Sequence, residues 1–117
     1  MVIFMINKEL IGNFSKVIGY IDIILNIEGF EDVKRDYENI RDVLLMWVKK
    51  YYINKNFDTI SYEESFDIHE KMQEIRDKKI FDKNLGMEAM ITDQILIIYE
   101  VIIKSINDGR GGLNGKR

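Results

Sequence analysis

Val33, Tyr37, Ile40, Leu44, Trp47 and Tyr51 step by 4, 3, 4, 3 and 4 residues. That spacing sets all six on one side of an α-helix but on both sides of a strand, so they share a core only if the segment is helical. No proline occurs among the 117 residues, so nothing in the covalent chain forces a helix to break. Leu10, Phe14, Val17, Ile21, Ile24 and Leu25 repeat the pattern upstream. Asn7 is placed to cap that first helix, with Glu9 in its first turn and Gly29 as a left-handed residue at its end. In the second, acidic residues lie at the start and Lys49, Lys50 and Lys55 at the end, as the helix dipole favours. Ser61 and Glu64 have the spacing of a capping box and open a third helix. The apolar pattern from Met87 to Ile106 marks a fourth, stopped by Gly109. Its isoleucine-rich stretch 95–103 also suits a strand, but no turn residue bounds it closely and helix is preferred.

These segments predict an all-α, up-down four-helix bundle with helices over about 7–28, 31–54, 61–80 and 86–108. Residues 1–109 form one helical domain, followed by a flexible, basic, glycine-rich tail over 110–117. Composition is that of a globular chain, with 46% hydrophobic and 32% charged residues. The lack of cysteine excludes disulfides, thiolate metal sites and a cysteine nucleophile, and suits a reducing cytoplasm. The opening MVIFMI has no leading positive charge and no small-residue cleavage site, so it does not read as a signal peptide. No apolar run approaches the length of a membrane span, and no membrane association is expected. A net charge of −3 argues against direct contact with nucleic acid, and a single RGG in the tail does not reverse that.

Residues 69–73, HEKMQ, fall one letter short of the zinc-hydrolase helix motif. That motif needs two histidines four apart on one face. Here the second position is Gln73, and His69 is the chain's only histidine. A di-iron carboxylate site needs Glu three before His, and that residue is Phe66. No nucleophile elbow or phosphate loop is present. The expectation is therefore no metal, no cofactor and no catalysis, with His69 half-buried and bonded to a neighbour. An alternative keeps His69 with Tyr62 and Gln73 in a pocket between helices that binds a small ligand or substrate.

Three surfaces exceed the needs of a simple bundle. In the fourth helix Ile91, Ile95, Ile98, Ile102 and Ile106 already make a core stripe, yet Leu96, Ile97, Val101 and Ile103 are apolar too. Such a helix either lies centrally in its own domain or meets a second copy. In the first helix Gly12, Ser15, Gly19, Asp22 and Asn26 line the side away from the apolar stripe, which is either a solvated face or a path for a close neighbour. In the third, Glu63, Asp67, Glu70, Glu74 and Asp77 form a single acidic stripe. Asp67–Lys71 and Glu74–Lys78 are spaced to pair. The stripe is either an ordinary wet face or a docking surface for a basic protein groove. No family-specific motif is present. In size, charge and helical content alone the chain is similar to small acidic helical inhibitors, such as bacteriocin immunity proteins and phage anti-defence proteins. The function expected is a non-catalytic protein that occludes or sequesters a protein partner. The alternatives are a self-assembling, homodimeric structural or adaptor subunit and the small-ligand binder near His69.

Overall fold

The computed structural model describes the backbone of residues 2–57, 60–81 and 86–114, and the side chains of 8–57, 60–79, 86 and 89–108. It is an all-α bundle of four helices: α1 (Val2–Leu25), α2 (Lys34–Asn54), α3 (Tyr62–Phe81) and α4 (Met87–Asn114). Among the described residues there is no strand, so stretch 95–103 is helix. α1 packs against both α2 and α4, and α4 packs in turn against α3. α2 and α3 approach less closely, leaving a shallow groove of about 170 Å³ between them, floored by Ile40, Val43 and Ile68.

One core draws on all four helices. α1 contributes Leu10, Phe14, Val17, Ile21 and Ile24, and α2 contributes Tyr37, Ile40, Leu44 and Trp47. At its centre Phe14 meets Trp47 edge-on and stacks on Phe57, which stacks in turn on Tyr51. Phe57 belongs to the α2–α3 connection, so that connection is anchored by an aromatic plug.

Helix ends depart from expectation for local reasons. α1 runs through Asn7 instead of starting there, because nothing in residues 2–6 breaks it. It stops at Leu25, where the Asn26 amide takes the carbonyl of Asp22 that a further helical N–H would have used. Gly29 does adopt a positive φ of 103°, but within the turn after the helix, where it lets Phe30 swing back into the core. α2 begins only at Lys34 and ends with Lys55 in the left-handed conformation, its N–H on Tyr51. α4 continues past Gly109 to Asn114. Helical glycines cost about 1 kcal/mol each but leave the backbone bonds intact. Of the expected tail, 115–117 lie outside the described residues, as does 82–85 of the α3–α4 turn.

The turn between α1 and α2 is held from a distance. Lys79, near the end of α3, is 6% exposed and donates to the Gly29 carbonyl at 2.7 Å and to Asp32 at 3.0 Å, above the Phe30 ring. Lys78 reaches the other oxygen of Asp32 at 2.9 Å. The hydrogen bond from Lys78, joined by that from Lys79, outweighs the cost of partial burial and pulls the Asp32 carboxyl down to about 2. A depressed carboxyl contributes stability that is whole above its unfolded pKa of 3.8 and is lost as pH falls toward 2. Thermal melts between pH 5 and pH 2 are thus expected to show a loss of stability that Asp32→Asn largely abolishes. An unchanged acid transition in Asp32→Asn would mean that other carboxylates drive it.

Two buried tyrosines make a matched pair. Burial pushes both hydroxyls up from their ordinary value, so both stay protonated. Tyr99 donates to the Ser65 carbonyl at 2.7 Å, whereas the Tyr37 hydroxyl finds no hydrogen-bond partner among the described residues. Tyr37→Phe is therefore expected to stabilise by up to about 1 kcal/mol, and Tyr99→Phe to destabilise by about as much, through loss of the hydrogen bond from its hydroxyl to the Ser65 carbonyl. Urea midpoints that move in the same direction for both variants would contradict this assignment.

Candidate functional site

The N-terminal half of α3 and the C-terminal half of α4 enclose an open groove of about 600 Å³. Its position follows from how α3 is seated. Ser61 caps the helix by accepting the Glu64 N–H at 2.9 Å. The reciprocal half of the expected capping box does not form: the Glu64 carboxylate accepts the Trp47 indole N–H instead, at 3.2 Å, and ties α3 to α2. Seated in this way, α3 has Ser65, Ile68, Met72, Ile75 and Lys79 inward, and Tyr62 and Phe66 outside at 56% and 59% exposure. The two rings lie one turn apart on the groove wall, and Ile103 and the stem of Lys104 face them from α4.

Behind the groove wall the polar groups of Ser65 are bonded. The Tyr99 hydroxyl crosses from α4 to the Ser65 carbonyl, and the Ser65 hydroxyl donates back to the carbonyl of Tyr62. His69, half-buried, lies nearly parallel to the Tyr99 ring, and its Nε2 is 2.8 Å from Oε2 of Glu100. A histidine oriented by a carboxylate is half of a general-base arrangement. The hydroxyl nearest in sequence, that of Ser65, is committed to its own helix, and among the described residues no hydroxyl bonds to His69. Gln73 follows His69 by one turn but does not line the groove. Among the described residues no group of three or more His, Asp or Glu side chains could hold a metal ion. The histidine of HEKMQ bridges α3 and α4 through Glu100.

The acidic stripe lies alongside. Glu63, Asp67, Glu70, Glu74 and Asp77 are all exposed, and Glu63 also lines the groove. Neither expected i,i+4 pair forms. Lys71 binds Glu74 at 3.3 Å, and Lys78 is drawn away to Asp32, while Asp77 pairs with its neighbour Arg76. Glu63, Asp67 and Glu70 have no ion-pair partner among the described residues.

Of the residues expected at an oligomer interface, Ile97 and Val101 are exposed at 45% and 47%, on the outer side of α4 with Met90. Leu96 is not available: at 2% exposure it lies in the core, because the buried face of α4 is turned toward Leu96 and Tyr99, leaving Ile91 and Ile98 half-buried. Ile103 is half-buried in the groove wall. Gly12 and Gly19 look outward, and a Cβ at either would meet nothing within 4 Å, so no backbone among the described residues uses their smallness.

Sequence spacing missed Phe66, Glu100, Lys104 and the Ser65–Tyr99 tie as site residues. The available signal was an apolar i,i+4 pair, Tyr62 and Phe66, on the outward side of an otherwise charged helix. Among the described residues no helix is long and apolar enough to cross a membrane. No family model matches this chain, and neither does any curated protein or solved structure.

Proposed function

We propose that the chain is a small acidic binding protein, without catalytic activity of its own, that occludes or sequesters a basic surface on a protein partner. The observation that supports this reading most directly is the α3 stripe: five exposed carboxylates, three of them with no ion-pair partner among the described residues. Like charges at this spacing oppose helix formation slightly, so the stripe is a cost to folding that a cationic partner would relieve. Such a field speeds encounter and sets orientation more than it adds affinity. It also repels phosphate, which makes a basic protein and not nucleic acid the partner. The test is association of the captured partner with the Glu70→Lys, Glu74→Lys double variant. Slowed association with an unchanged circular dichroism spectrum is expected, and unchanged association would leave the stripe an ordinary wet face.

The exposed side chains of Met90, Ile97 and Val101 favour a second reading, a homodimer through the outer side of α4, with the open Gly12 and Gly19 side of α1 allowing close approach. A stable dimer buries roughly 1,200 Å² or more with an apolar centre. Because Ile97 is 45% exposed, Ile97→Glu is expected to shift a dimer to monomer in sedimentation while changing stability by less than about 0.5 kcal/mol. A wild-type chain that stays monomeric at high concentration removes this reading.

A further inference from the structure

The groove between α3 and α4 carries the partner's chemistry further than the stripe alone. Its apolar wall is long enough to matter: Tyr62 to His69 advances about 10 Å along the helix axis, or two turns. Its charge is one-sided. Glu63 stands on the α3 wall and Glu100 on the α4 wall, and the one lysine at the edge, Lys104, is already held by Asp108 at 3.1 Å. The stripe continues the negative field outward from the α3 wall. A partner that fits must offer apolar side chains to the middle and cations to both rims. A helix with apolar residues one turn apart matches the one-turn spacing of Tyr62 and Phe66 on the groove wall, and presents its remaining faces to the acids.

We infer that the groove seats one amphipathic, lysine- or arginine-rich helical segment of the partner. Two apolar side chains, one turn apart, lie between Tyr62, Phe66 and Ile103, and cations lie beside Glu63 and Glu100. This rests on the reading of the chain as an acidic binding protein, and adds which face takes the partner's segment and in what conformation. Glu100 can serve because His69 occupies only its Oε2. Phe66 is the anchor, being the most exposed aromatic of the trough.

The experiment uses the full chain, labelled with ¹⁵N, and a synthetic helical peptide of about 14 residues with leucines one turn apart and lysines elsewhere. A glutamate-for-lysine version and phenethylamine serve as comparisons. The expected result is amide shifts centred on Tyr62, Phe66 and Ile103 with the lysine peptide, absent with the glutamate peptide. Phe66→Ser should weaken binding at least about tenfold with an unchanged circular dichroism spectrum. Shifts centred instead on Met90, Ile97 and Val101 would overturn the inference. So would equal binding by Phe66→Ser, equal binding of the glutamate peptide, or the same shifts from phenethylamine at equal affinity, which would make the groove a small-cation site. If Glu70→Lys, Glu74→Lys weakens the lysine peptide while Phe66→Ser does not, the groove assignment falls and the acidic-binder reading stands. That reading falls separately, if the captured partner ignores the double reversal.

Discussion

Phe14→Ala is expected to lower the free energy of unfolding by about 3–5 kcal/mol, the range for truncating a fully buried aromatic. Phe14 is 0% exposed and sits where three segments meet: its own helix, Trp47 of α2 and Phe57 of the α2–α3 connection. Removing the ring deletes an edge-to-face contact at 6.5 Å and a stacked one at 5.4 Å, each worth about 0.5–1.5 kcal/mol beyond burial. It also leaves a cavity under Phe57, which holds the chain's entry into α3. Against a total stability of about 5–15 kcal/mol for a domain, the variant would be marginal. The check is urea unfolding, with the midpoint lowered and the slope unchanged. Phe66→Ala, at 59% exposure, is the contrast and should cost less than about 0.5 kcal/mol. Equal losses for the two would mean that the core lies elsewhere.

What could be read from spacing, and what could not, divides along a physical line. The faces of α1 and α2 were legible because the residues that recur at three- and four-residue steps, Leu10 to Leu25 and Val33 to Tyr51, are the buried or half-buried ones, while Ile23, Leu45, Met46, Tyr52 and Ile53 fall off that stripe and are exposed. The buried face of α3 was hidden by inversion: Ser65 and Lys79 point in while Tyr62 and Phe66 point out. A polar side chain is buried where a partner awaits it. Those partners are distant in the chain, Tyr99 lying 34 residues from Ser65 and Gly29 lying 50 from Lys79. Spacing along a single helix cannot show them. For the same reason the i,i+4 rule failed on the stripe, since Asp32 outcompetes Glu74 for Lys78. In α4, with apolar residues almost all round, several 100° sectors could have been the core, and only the packing against α1 and α3 selects the one holding Leu96 and Tyr99. The acidic stripe itself was fully legible, because exposure of carboxylates needs no partner to explain it.

The second large effect concerns rate. Reversing Glu70 and Glu74 turns two of the five stripe charges from negative to positive while touching no core residue. Electrostatic steering raises association rates by about 10–10³ over the unsteered value, so the double variant is expected to lose most of that factor and little of its stability. The effect must shrink with salt, because the Debye length falls from about 30 Å at 0.01 M to about 3 Å at 1 M. A variant that merely misfolds would bind poorly at every salt concentration. The two causes separate on the salt axis.

The most direct measurement is therefore the association rate constant of the captured partner with the wild-type chain and with Glu70→Lys, Glu74→Lys, recorded as a function of ionic strength. A steep fall with salt is expected for the wild type, a slow and nearly salt-independent rate for the variant, and convergence of the two at about 1 M. Parallel curves with the same slope, or a wild-type rate indifferent to salt, would contradict this expectation.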